Sequence, residues 1–166
     1  MDASIQNTTN QFLVFSLKGE HYALPVEEVR EVLDLSRITR IPGAPDYIRG
    51  IINVRGAVVP VMDLRLKFDS GIHEADDESR TIIVLDLSKR GLSASLGVLT
   101  DTVDAVLHIE EEMIDQPPQI GEHDRSGDSS YLKGIGKVED DFVMILDTEK
   151  MFSPQDLVYG GNPASL

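Results

Sequence analysis

The segment Tyr47 to Phe68, YIRGIINVRGAVVPVMDLRLKF, recurs without a gap as Tyr131 to Phe152, YLKGIGKVEDDFVMILDTEKMF. Tyr47/Tyr131, Gly50/Gly134, Ile51/Ile135, Val54/Val138, Val59/Val143, Asp63/Asp147 and Phe68/Phe152 are identical. Ile48/Leu132, Arg49/Lys133, Val61/Ile145 and Met62/Leu146 keep their character. Two copies of one supersecondary unit imply an internal duplication, so whatever architecture suits one copy must be used twice. The apolar frame is kept and the turn is not: Asn53-Val54-Arg55-Gly56-Ala57 stands against Lys137-Val138-Glu139-Asp140-Asp141.

Each copy reads as two apolar strands about a tight turn, followed by an aspartate that caps a short helix. Pro60 removes one ladder donor from its strand and predicts an edge or a bulge there. Upstream, Gln11–Leu17 and His21–Pro25 read as a hairpin about Lys18-Gly19. Residues 26–33 read as one helical turn feeding a strand, and Thr102–Leu107 echoes that strand, VDAVL against VREVL. Pro42-Gly43-Ala44-Pro45 is a rigid loop, after which Asp46 is expected to cap a helical turn containing Tyr47 and Ile48. Short strands at close spacing, two similar halves and little helix predict a mainly β fold: two small five-stranded SH3-like β-barrel lobes packed on a shared hydrophobic core, with short helices. The expected division is a disordered tail over 1–10, a single domain over 11–153, and a C-terminal tail with some helix over 154–166. The lobes would cover about 11–70, with exchanged strands, and about 80–153, joined by the acidic linker 69–79.

The 166 residues carry a net charge of −14, which repels phosphate backbones and argues against nucleic acid and anionic lipid. Residues 1–70 hold eight basic and nine acidic side chains, a net of −1; residues 71–166 hold seven and twenty, a net of −13. The plain reading is solubility; the sharper one is two lobes with different electrostatic faces. Without cysteine there is no disulfide, thiolate metal site or thiol chemistry. The polar N-terminus lacks a signal-peptide pattern and no run spans a membrane, so a cytoplasmic protein without direct membrane insertion is expected.

Nothing reads as an active site. His21, His73, His108 and His123 show no ligand spacing, so no metal is expected. Asp63 and Asp147 are a conceivable carboxylate pair, but their place after matching strands reads as a duplicated helix cap. No nucleophile elbow, P-loop or complete dinucleotide fingerprint occurs, and no catalytic residue or cofactor is expected. A binding surface remains. Arg55 sits in a turn between two apolar strands, either as a solvated hairpin arginine or as a fork for a carboxylate. Glu31 interrupts an apolar stretch, either paired with a basic group or simply exposed.

The runs FLVFSLKGEHYALPVEEVREVL and ITRIPGAPDYIRGIINVRGAVVPVMDLRLKF resemble the CheW family over about residues 11–153, with Val54 where a leucine is common. The resemblance implies two small β-barrels around a hydrophobic core and a non-enzymatic role. CheW is the adaptor that couples bacterial chemoreceptors to the CheA histidine kinase. It binds the receptor's cytoplasmic hairpin tip and the CheA regulatory domain, and CheW-like domains alternate with that domain in rings. By resemblance Arg55 and Glu31 fall at positions implicated in partner binding, and Val29, Asn53 and Gly56 travel with the same motifs. An adaptor of a non-flagellar pathway, governing surface motility or development, is the related alternative. A small-ligand-binding or hydrolytic β-barrel protein is a distant one.

Overall fold

A computed structural model describes residues 10–35, 37–68, 81–91, 94–116 and 131–159. The N-terminal tail up to residue 9, the linker 69–79, the loop 117–130 that contains His123, and residues 160–166 lie outside the described residues. Among the described residues eleven strands form two sheets, and the arrangement is mainly β, consistent with SH3-like lobes. They are β1 Gln11–Leu17, β2 Glu20–Pro25, β3 Val29–Asp34, β4 Ile48–Val54, β5 Ala57–Asp63, β6 Thr81–Asp86, β7 Ser95–Thr100, β8 Thr102–His108, β9 Ile114–Asp115, β10 Leu132–Val138 and β11 Asp141–Leu146. One sheet runs β3-β6-β7-β5-β4 and the other β8-β1-β2-β11-β10-β9. The second has six strands because the two-residue β9 pairs with β10; in the first, the same place is held by a single bridge from Thr39 to Ile51.

The two sheets share one topology. β5 pairs β7 in parallel, and β11 pairs β2 in parallel. Every other pairing is antiparallel and has its counterpart in the other sheet. The duplication therefore extends beyond the repeated segment: β1–β5 is one copy and β6–β11 the other. The copies do not form successive lobes. The hairpin β1–β2 completes the sheet built by β8–β11, and the hairpin β6–β7 completes the sheet built by β3–β5.

The apolar clusters follow the same plan. Ile52, Val54, Val59, Val61, Ile82, Val84 and Leu99 fill one sheet's inner face, and Phe12, Val14, Ala23, Ile109, Val143 and Ile145 fill the other's. The alternate residues of the exchanged hairpins point the other way. Leu13, Phe15 and Leu17 meet Ile83, Leu85 and Leu87 in a third cluster with Leu24, Met62, Val98 and Leu146. This is the shared seam. Because successive side chains face opposite sides of a strand, β1 and β6 serve a lobe core on one face and the seam on the other, and so read as unbroken apolar runs.

Three hairpins turn with a left-handed residue at the same place: Lys18 (φ 51°), Arg55 (φ 53°) and Glu139 (φ 56°). Gly56 follows at φ 90°, so Arg55-Gly56 has the two positive φ values of the turn whose twist matches the flanking strands. Pro60 lies in an internal strand, not at a sheet edge, and the bulge that was the other expectation stands just beyond it, where the β4–β5 register shifts between Ile48 and Gly50. Its partner Ile51 exchanges both backbone bonds with Thr39 on the far side, so Pro60 faces a non-bonded position of β4. The parallel ladder to β7 starts one residue later, at Val61, so no bond needs the missing donor. The expected helical turn at Asp46 is a reverse turn instead. Ile48 N donates to Pro45 O at 3.0 Å and then enters β4, because its side chain is drawn into the seam.

Gly50 is a point of close approach. At φ 148° it lies where a side chain is strained, and a Cβ there would collide with the Thr39 carbonyl. At its repeat partner Gly134 a Cβ would stand 2.6 Å from Ile114 Cγ2 and 2.9 Å from Asp115 O. Gly50→Ala should therefore destabilise by at least about 2 kcal/mol in urea unfolding, since backbone has to move and the φ is unfavourable. An unchanged midpoint would mean the Thr39 bridge is dispensable.

Candidate functional site

β3 and β4 are the opposite edges of the five-stranded sheet. Arg55, at the tip of the β4–β5 hairpin, reaches across to β3: its Nη1 donates to Glu31 Oε2 at 3.2 Å. The pair thus ties one edge of the sheet to the other across a lobe mouth. The arginine side chain is 69% exposed and the glutamate 17%. The register shift between Val29 and Glu31 against β6 changes the face: Val29, opposite Leu85, packs on the seam, whereas Glu31 and Leu33, opposite Val84 and Ile82, turn to the lobe-core side, and Arg30, Val32 and Asp34 are exposed. Gly56 N donates to Asn53 Oδ1 at 2.9 Å, which fixes the turn that aims Arg55.

Four of the five residues singled out in the sequence are thus brought together: Glu31, Asn53, Arg55 and Gly56. Val29 lies on the same strand, but it is half-buried against the shared seam. The second copy does not repeat the pair. By register of VDAVL on VREVL, Ala105 stands where Glu31 does, and Glu139 where Arg55 does. Val32 and Val106, also equivalent, are both exposed.

The two capping aspartates are confirmed as caps. Asp63 Oδ1 accepts from Arg65 N at 3.0 Å, and Asp147 Oδ1 from Glu149 N at 3.0 Å. Their own N–H groups donate to Tyr47 O and Tyr131 O, at 2.7 and 2.9 Å. Asp63 does more. It is 1% exposed, takes Arg65 Nε and Nη2 at 3.1 and 3.0 Å, and takes Arg49 Nη1 at 3.1 Å. Burial pushes its carboxyl upward. The Arg65 side-chain hydrogen bonds and charge, the Arg65 N–H and the Arg49 charge together outweigh burial and hold it below the ordinary carboxylate value. Sequence reasoning missed Arg65 and Arg49 as partners. A signal was present: Arg65 is a cation two residues after the capping Asp63, within reach of its carboxylate. Asp156 was missed too. Buried in the 3-10 helix Pro154–Tyr159, it accepts from Tyr47 Oη at 2.7 Å, Lys67 Nζ at 3.1 Å and Ser153 N at 2.9 Å.

One cluster has the residue types of hydrolytic catalysis but not the geometry. Ser16 Oγ donates to Asp104 Oδ2 at 2.6 Å and lies 3.3 Å from His21 Nδ1. His21 Nδ1 is also 3.3 Å from Asp104 Oδ2. A triad needs nucleophile and carboxylate on opposite ring nitrogens. Here both share one, and the serine proton is directed to the carboxylate, so the group ties β1, β2 and β8 together at the surface.

The chain's similarities agree with this geometry. The family model for the CheW-like domain matches residues 11–156. The chemotaxis protein CheW of Klebsiella aerogenes is 32% identical over 93% of this chain and 88% of its own length. That of Bacillus subtilis is 32% identical over 93% and 94%. The crystal structure of the scaffolding protein TtCheW from Thermoanaerobacter tengcongensis superposes with a TM-score of 0.73 at 33% identity, covering 89% of this chain and 90% of that one. Protein PilI of Pseudomonas aeruginosa is 30% identical over 57% of this chain.

Proposed function

This chain belongs to the CheW family of non-enzymatic chemotaxis adaptors, and from that premise we propose that it couples chemoreceptors to the CheA histidine kinase. Its partners are then the cytoplasmic tip of methyl-accepting receptors, the CheA regulatory domain, and further CheW-like domains in rings. Its place is the cytoplasm, at membrane-associated receptor arrays. The observation that carries the reading is Arg55: a largely exposed guanidinium aimed by an Asn53-Gly56 turn and held to one edge of a lobe by Glu31. A fixed fork of this kind recognises a carboxylate or a pair of carbonyls on a partner. Two lobes of one plan with different turn residues, Arg55 against Glu139, also suit two different partners, and heterologous contacts of that sort close into rings when the rotation permits. A second reading keeps the adaptor role but places it in a non-flagellar pathway; the similarity to PilI favours it.

The test is co-sedimentation with a receptor tip fragment and with the CheA regulatory domain, scored separately. We expect both to bind the wild-type chain, and Arg55→Glu to weaken at least one by tenfold or more. Fold should survive the change. Glutamate is already accommodated at the same left-handed position as Glu139, and an exposed ion pair contributes only about 0–1 kcal/mol. If Arg55→Glu binds both partners as the wild type does, Arg55 is not a contact. If the variant loses its cooperative melt, the Arg55–Glu31 tie is structural.

A further inference from the structure

A cavity of about 380 Å³ opens between the segment 38–49 and the Asp63–Leu66 junction, on the five-stranded lobe. Its charged lining is Arg40, Arg49 and Arg65 against Asp46 and Asp63, a local excess of one positive charge in a chain of net −14. Arg65 is 4% exposed; it closes on Asp63 and has Asp101 Oδ1 at 4.0 Å. That leaves the recognition to the outer two. Arg49 gives Nη1 to Asp63 yet is 32% exposed, and Arg40 is exposed. Asp63 clamps Arg49 from below, so its planar fork is already oriented, and an oriented guanidinium loses less freedom when it takes a carboxylate. The rest of the wall is apolar: Ile38, Ile41, Ala44, Pro45, Ile48 and Leu66.

We propose that this cavity is a binding site for a small organic carboxylate, its head group on Arg49 and Arg40 and its apolar body against the Ile38, Ile41 and Leu66 wall. The volume lies within the range of small-molecule sites, which combine apolar walls with a few placed polar groups. A cation would meet the two arginines. A bare inorganic anion would leave the apolar wall in water. The second copy reproduces the charges only in part: Lys133 stands where Arg49 does, but Glu149 stands where Arg65 does. The site therefore belongs to one lobe, and it is separate from Arg55.

The experiment is a titration of the full chain followed by ¹H–¹⁵N NMR, including the arginine Nε–H signals. The probes are sodium hexanoate, inorganic phosphate and sodium chloride at matched ionic strength. We expect hexanoate to give saturable shifts at Arg40, Arg49 and the amides of Ala44 and Asp46, sparing Arg55, with affinity at least tenfold above that of phosphate. Arg40→Gln should weaken hexanoate about tenfold without moving the thermal midpoint, and Arg49→Gln should weaken it further. Shifts that fail to saturate, that match those in chloride, or that survive Arg40→Gln unchanged would overturn the site. Phosphate binding as tight as hexanoate would overturn the organic ligand. If Arg49→Gln does not fold, the exposed Arg40 variant decides alone.

Discussion

Asp63→Ala is expected to lower stability by about 3–5 kcal/mol, whereas Asp147→Ala, its repeat partner, costs about 1 kcal/mol. Both changes remove a helix cap of the same geometry. Only the first also takes two side-chain bonds from a buried guanidinium, for Arg65 is 4% exposed and its next carboxylate, Asp101 Oδ1, lies 4.0 Å away. Removing one member of a buried pair leaves the other charge desolvated and uncompensated, and that penalty exceeds the value of a cap. Urea unfolding of the two variants measures the difference; equal losses would mean that Arg65 finds another partner at little cost.

The same carboxyl gives a pH signature. Its folded value lies below the ordinary one, so its contribution is complete above the unfolded value of roughly 3.9 and is lost as pH falls through the folded value. Asp63→Asn keeps an oxygen for the Arg65 N–H but cannot titrate. The wild type should therefore keep its full advantage over Asp63→Asn at neutral pH and lose it only as pH falls below the ordinary carboxylate value of about 3.9. Parallel acid limbs for the two proteins would contradict the ion-pair account.

Separate fragments 1–74 and 75–166 should each lack a cooperative transition, and mixing them should restore one with the β spectrum of the intact chain. The first fragment carries β1–β2 of one sheet and β3–β5 of the other; the second carries β6–β7 and β8–β11. Each alone leaves the parallel ladders β5·β7 and β11·β2 half-made. The seam also loses one side, since Leu13, Phe15 and Leu17 come from the first fragment and Ile83, Leu85 and Leu87 from the second. Half a core leaves too little apolar burial to offset the entropy of ordering the chain. Circular dichroism against temperature, for each fragment and for the equimolar mixture, checks this. A cooperative melt from either fragment alone would mean that each copy folds by itself and the exchange is incidental.

Much of the candidate site was legible because it is local. The Asn53-Val54-Arg55-Gly56 turn declares itself through residue types that suit positive φ and side-chain capping of a turn. Asp63 and Asp147 were readable as caps from the strand that precedes each. Glu31 stood out as a charge in an apolar strand, but its partner did not, because Glu31 and Arg55 meet only when opposite edges of one sheet come together. The Asp156 contacts with Tyr47 and Lys67 are hidden for a similar reason: they join segments about a hundred residues apart in the chain. Pro60 signalled an irregular ladder, an edge or a bulge, and the structure has the bulge beside it rather than the edge. Its tolerance depends on where the β7 ladder starts, which no local pattern reports.

The amino-acid sequence by itself determined the duplicated β plan, the hairpins, the turn that presents Arg55, and the family to which they point. These follow from side-chain period, turn chemistry and a repeat, all of which act over a few residues. Exchanged strands were expected, but only the tertiary structure decided that they are the first hairpin of each copy, that Arg55 closes onto Glu31, and that Arg49 and Arg65 converge on Asp63. Each of those depends on which apolar faces bury one another, and the alternation along β1 and β6 allows either lobe as a partner. Packing of both faces at once, one on a lobe core and one on the seam, is what selects the exchanged arrangement.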